Sequence, residues 1–174
     1  MGYPRSLLRL GTTLFVLGLL TGLFVQQMQN PRAGVAGHLE GVMNGMFLMI
    51  AGLAWKELGL GARAERITYL LLVFGTFANW ATTTAIAILG TSRATPIAGA
   101  GHSAGPLAEN AVLAMLILVA LAMVAASSSI AYRLWRSPPA QESARGVSTR
   151  GAEAQGRSGR AVEAVLRSAA SRAS

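Results

Sequence analysis

Residues 37–47 read Gly-His-Leu-Glu-Gly-Val-Met-Asn-Gly-Met-Phe, which sets an imidazole, a carboxylic acid and a carboxamide at the mouth of an apolar run. Such groups are costly inside a bilayer, so an ionisable side chain at that depth is a functional-site hypothesis by default. On a helix His38, Gly41 and Gly45 share one face, because steps of three and seven residues return to within about 60° of the starting direction. A histidine with two glycines beneath it leaves flat room, which suits axial ligation of a porphyrin iron by imidazole. The same two glycines, with Gly37, form a small-xxx-small ladder that packs membrane helices with no cofactor at all. Glu40 and Asn44 stand four apart on a different face, where they either bond each other or leave the carboxamide free for a substrate. His102, in a glycine-rich loop, is either solvated or a proton carrier.

The elements that position these groups follow from composition. Of 174 residues, 52% are hydrophobic and only 13% are charged, against about 25% charged in an ordinary soluble domain. The chain therefore reads as an integral membrane protein. Cysteine is absent, which removes disulfides, thiolate metal sites and cysteine nucleophiles, and every acidic side chain is a glutamate. The net charge of +8 does not mark a nucleic-acid surface, since six of the fifteen cations follow Pro139 in a tail rich in Ala, Ser, Arg and Gly. That tail has too little apolar surface to fold and is expected to be disordered. No phosphate-binding loop, dinucleotide fingerprint, HExxH or nucleophile elbow is present.

Four apolar segments are expected to span the membrane, over about residues 7–25, 38–55, 67–89 and 107–135, since about twenty helical residues cross the hydrocarbon. Asn30-Pro31-Arg32 is read as a break after the first span, because proline lacks the amide hydrogen and restricts its predecessor, with a loop running on to about Gly37. His38 then lies near the entrance of the second span. Lys and Arg gather before the first span, between the second and third, and after the fourth, so the positive-inside rule puts both termini in the cytoplasm. His38, Glu40, His102 and Glu109 are expected to converge on the outer face, with Asn44 and Asn79 deeper. Gly18-x-x-x-Gly22 in the first span reads as packing. The fold class is thus all-α: an integral membrane four-helix bundle with short loops over residues 1–136 and a basic disordered tail over 137–174.

Asn30-Pro31-Arg32, the run from His38 to Gly45, Ala78-Asn79-Trp80 and the run from Pro96 to His102 together resemble the hydroxylaminobenzene mutase family. The resemblance covers about residues 7–136 and excludes the tail. A more distant likeness is to styrene oxide isomerase, a trimeric membrane enzyme whose haem b is held by a histidine followed six residues later by an asparagine. His38 and Asn44 reproduce that spacing, and Asn79 matches a further asparagine, but the isomerase's functional aspartate and tyrosine fall on Gly75 and Thr83. The resemblance implies an intramolecular rearrangement of N-aryl hydroxylamines to ortho-aminophenols in a bacterial inner membrane. It implies haem b on His38, clearance for the ring at Gly41 and Gly45, substrate contacts from Asn44 and Asn79, and proton transfer by His102 or Glu40. The partners implied are a small aromatic substrate, lipid and further copies of the chain in a trimer, with no nucleic acid. Two other readings stay open: an epoxide isomerase, and a non-catalytic membrane packing or assembly protein.

Overall fold

A computed structural model describes residues 2–136, which form helices joined by short connectors and one longer loop over 90–105, with no strand among the described residues. Four α-helices follow one another: α1 (Tyr3–Leu23), α2 (Pro31–Ala54), α3 (Ala62–Leu89) and α4 (Pro106–Arg136), with 3-10 turns at Val25–Gln27 and Trp55–Leu58. The expected disordered tail, residues 137–174, lies outside the described residues.

Three helices, α1, α3 and α4, are long and apolar enough to cross a membrane, at 21, 28 and 31 residues. Large apolar side chains such as Leu23, Leu53, Leu121 and Val124 stand well exposed on the outer surface, which is where a hydrocarbon solvent would meet them. α2 is long enough at 24 residues but falls short in hydropathy. His38, Glu40, Asn44 and five glycines occupy positions that leucine or valine fill elsewhere.

The start of α2 corrects the reading of Pro31. The proline does not break a helix; it opens one. Asn30 is the N-cap, its side-chain oxygen accepting from the Ala33 amide at 3.1 Å, and Pro31 takes the first helical position, where a missing N–H costs nothing and the fixed φ is already helical. His38 therefore lies about 10 Å into the helix, two turns below its start, at 1.5 Å per residue.

Glycines set how closely α1 and α2 approach. A Cβ added at Gly18 would stand 2.5 Å from the Val42 nitrogen and 2.6 Å from the Gly41 carbonyl carbon, and one at Gly45 would stand 2.6 Å from the Phe15 nitrogen. Backbone lies on backbone along this seam, the small-xxx-small geometry of membrane helices. α3 closes on α2 where Gly37 meets Thr84, and α4 closes on α3 where Met123 fills the space over Gly75. Leu7, Leu14, Leu48, Trp55, Leu58 and Leu72 form the main buried cluster, joined by Ala126 of α4. Polar ties hold that end: Trp55 Nε1 donates to Glu65 at 2.7 Å, Ser6 and Tyr69 share a hydrogen bond of 2.7 Å, and Arg133 donates to the Leu58 and Gly59 carbonyls.

Candidate functional site

α2 presents two chemical faces. Residues two apart on a helix diverge by about 160°, so His38 and Glu40 point to opposite sides. His38 turns to α1. Its Nδ1 lies 2.8 Å from the Gly18 carbonyl oxygen; a carbonyl only accepts, so this nitrogen carries a proton, and in the neutral ring the lone pair is then on Nε2. Among the described residues Nε2 has no hydrogen-bond partner, and His38 forms one wall of a mostly apolar cleft of about 630 Å3 with Val16, Leu19, Leu20, Leu23, Val35 and Gln26. Gly22 is what lets the ring lie there, for a Cβ on it would stand 2.7 Å from Nδ1. Metal-bound histidines almost always give their second ring N–H to a carbonyl or carboxylate, which fixes the tautomer and the ring plane. His38 and its cleft fit an axial ligand of haem. No group of three His, Cys, Asp or Glu stands together among the described residues, and His38 is the residue that would hold a porphyrin iron here.

Gly41 and Gly45 do not provide the clearance assigned to them. Both are buried under α1, with Gly18, Phe15 and the Gly11 carbonyl oxygen pressed against them, and Trp80 Cδ1 lies 2.8 Å from where a Gly41 Cβ would be. The helix seam takes up the space. The open side of His38 is instead bordered by Gly22, a residue read from the sequence as packing alone.

On the other face Glu40 joins α2 to α3. Its Oε2 accepts from Asn79 Nδ2 at 2.6 Å and from Asn44 Nδ2 at 3.0 Å. Asn44 is buried, so its carboxamide does not stand free for a substrate; it serves the carboxylate. Next to Asn79, Trp80 reaches across to α1, donating from Nε1 to Thr21 Oγ1 at 3.0 Å, and Thr21 in turn donates to the Leu17 carbonyl. Both amide nitrogens bond the same oxygen, Oε2, and so fix the orientation of the Glu40 carboxyl group.

The remaining candidates gather elsewhere, in the cap formed by residues 90–105. Glu109 accepts from the Ser92, Arg93 and Ala104 amides at 3.0, 2.9 and 3.2 Å, folding this loop over the start of α4. His102 has Nε2 3.0 Å from the Gln29 carbonyl and Nδ1 3.3 Å from that of Ala100. No hydrogen bond joins it to His38, Glu40, Asn44 or Asn79, so the expected convergence on the outer face does not occur. Loop closure occupies both groups. Asn30, which sequence reasoning passed over, pins the same cap: it is 1% exposed, and its Nδ2 donates to the Ala98 carbonyl at 2.8 Å while its own amide donates to Ala87. Its position before a proline was the available signal.

Comparison with known proteins bears on this arrangement. A profile of the family described as Styrene oxide isomerase matches residues 3–135, the whole helical region. The chain belongs to the styrene oxide isomerase family. Among curated relatives, it is 44% identical to Hydroxylaminobenzene mutase HabB of Ectopseudomonas oleovorans over 140 residues, covering 79% of this chain and 84% of the relative. It is 45% identical to Hydroxylaminobenzene mutase HabA of the same organism over 117 residues, covering 67% and 87%. The suspected family is therefore the right one, and this member of the styrene oxide isomerase family is an isomerase of the mutase kind. Within it, Gly75 has no side chain and lies under Met123, and Thr83 spends its hydroxyl on the Asn79 carbonyl at 2.8 Å.

Proposed function

We propose that this protein rearranges N-aryl hydroxylamines such as hydroxylaminobenzene to ortho-aminophenols, working as a four-span bundle in a bacterial inner membrane with haem b on His38. The names of the two relatives support the substrate class. The observation that carries the cofactor is the imidazole of His38, tied through Nδ1 to Gly18 on a cleft whose other walls are apolar apart from Gln26.

When bound, the haem supplies a Lewis acid toward the hydroxylamine oxygen. The chain's own residues do the rest. The reaction moves one hydroxyl: the N–O bond breaks, a C–O bond forms at the ortho carbon, the ring proton leaves that carbon and a proton is delivered to nitrogen, with no net redox change. Glu40 takes the ring proton on Oε1 and returns it to nitrogen, while Asn44 and Asn79 hold Oε2 and so fix the carboxylate's orientation. The apolar side chains of the cleft exclude bulk water, which favours return of the same hydroxyl to the ring. His38 and Glu40 face opposite ways on α2, so one substrate meets both when the His38 face of one copy stands against the Glu40 face of the next. A homo-oligomer, as in the trimer, meets that requirement.

The test is spectroscopic and chemical together. Detergent-purified protein is expected to show a Soret band and to convert hydroxylaminobenzene to 2-aminophenol, with both lost in His38→Ala. The profile match keeps a second reading in play, isomerisation of an aryl epoxide. Turnover of styrene oxide in place of the hydroxylamine would favour it.

A further inference from the structure

We propose that Trp80 is a positioning residue for His38: by holding Thr21, it keeps the last turns of α1 where the Gly18 carbonyl meets the imidazole. The inference rests on the proposed haem site and adds the part of α3 that sets its geometry.

α1 is anchored unevenly. Its buried residues are Leu7, Gly11, Leu14, Gly18 and Thr21. Leu7 and Leu14 fix the first half in the main core cluster. Beyond Leu14 the one buried side chain of α1 is that of Thr21, since Gly18 has none, while Leu19, Leu20 and Leu23 stand exposed. The last turn of a helix lacks partners for its carbonyls and frays most readily. The glycine seam lets α1 lie close on α2 but offers no side chain to fix how α1 sits along or around its axis. His38 nevertheless depends on this segment: the Gly18 carbonyl accepts from Nδ1 at 2.8 Å, and Gly22 borders the ring.

Thr21 supplies the missing constraint, and the donor inventory fixes how. An indole N–H can only donate, and Trp80 Nε1 does so to Thr21 Oγ1 at 3.0 Å. The single hydroxyl hydrogen of Thr21 then goes to the Leu17 carbonyl at 2.8 Å. The link from Trp80 through Thr21 to Leu17 thus runs one way and involves no group that titrates. Leu17 immediately precedes Gly18, and Thr21 immediately precedes Gly22, so both contacts of the imidazole sit beside the ends of this link. The indole is held in turn by α2, with Cδ1 2.8 Å from where a Cβ of Gly41 would be. α3 therefore reaches α1 across a glycine of the helix that carries His38. Near the start of α1, the hydrogen bond between Ser6 and Tyr69 ties the same two helices.

Removing an outer partner of a metal-bound histidine costs about 10–100-fold in affinity. Here the Gly18 carbonyl stays and only its hold is loosened, so a smaller effect is expected. The test compares the two α1–α3 bonds in full-length protein in detergent, with haem b titrated into protein purified without it. Thr21→Val keeps the shape and loses the hydroxyl; it is expected to weaken haem binding about threefold to tenfold, the span of one hydrogen bond, and to shift the Soret band. Trp80→Phe is expected to do the same, the two substitutions together no more than either alone, and Thr21→Ser to restore wild-type binding. Tyr69→Phe removes the other bond and is expected to lower the melting temperature with haem affinity and the Soret band unchanged. Equal effects of Thr21→Val and Tyr69→Phe on haem binding, or none from either, mean that Trp80 only ties helices together, and overturn the proposal while the haem reading stands. A wild type that takes up no haem removes the haem reading, and the proposal is then decided on the haem-free protein. With two histidines in the chain, isotopic labelling of histidine resolves the His38 ring by nuclear magnetic resonance. Its Nδ1 hydrogen is expected to exchange faster in Thr21→Val than in wild type or Tyr69→Phe; equal exchange in all three overturns the proposal.

Discussion

At the scale of single residues, the proposed mechanism rests on His38 and Glu40, and each is set by a neighbour no sequence pattern names. The His38 tautomer depends on the Gly18 carbonyl, twenty residues away, and the ring's position on the absent side chain of Gly22. Gly22→Ala puts a methyl group 2.7 Å from Nδ1; because an imidazole can swing aside, the expected outcome is a shifted or weakened Soret band with little change in thermal stability. Asn79→Ala removes the shorter of the two bonds to Glu40, which in the proposed mechanism is a hydrogen bond to a charged group worth about 1.5–3 kcal/mol. Its kcat/KM on hydroxylaminobenzene is expected to fall tenfold or more, measured by aminophenol formation. The Glu40–Asn44 bond was one of two outcomes open from a spacing of four. The Glu40–Asn79 bond spans 39 residues and needs the bundle in place before it can be seen. Gly41 and Gly45 show the ambiguity from the other side: a stripe of glycine beneath a histidine reads equally as room for a ring and as room for a helix, and the helix took it.

At the scale of elements, the apolar runs placed four helices, three of them long and apolar enough to cross a membrane, while α2 falls short in hydropathy. The largest difference was the start of α2. Pro31 was read as a helix breaker, but after an asparagine it is a helix opener, and the seven residues between Pro31 and His38 are helical rather than loop. That difference moves His38 from the expected start of the helix to two turns within it. Asn30→Ala loses the N-cap, worth about 0.5–2 kcal/mol, and also the bond to Ala98 that closes the cap. The expected result is a clear drop in melting temperature in detergent with the Soret band retained. Gly18→Ala acts on the α1–α2 seam, where backbone atoms block the new Cβ; overpacking of this kind costs about 1–3 kcal/mol. Loss of helicity at a lower temperature, followed by circular dichroism, is the expected readout.

At the scale of the whole molecule, His38 and Glu40 lie on opposite faces of α2. The proposed mechanism therefore needs a second copy of the chain, and subunits can be tested in combination. Co-expression of His38→Ala with Glu40→Ala is expected to recover activity that neither variant has alone, because mixed assemblies contain junctions where an intact His38 face meets an intact Glu40 face. A protein that only packs or assembles membranes would instead be indifferent to both substitutions and sensitive to Gly41→Leu.

The absorption spectrum of the purified protein tests the central claim most directly. A Soret band in the wild type that is absent from His38→Ala, with aminophenol formation lost in parallel, is the predicted result. A colourless wild type that turns over hydroxylaminobenzene at full rate would contradict it.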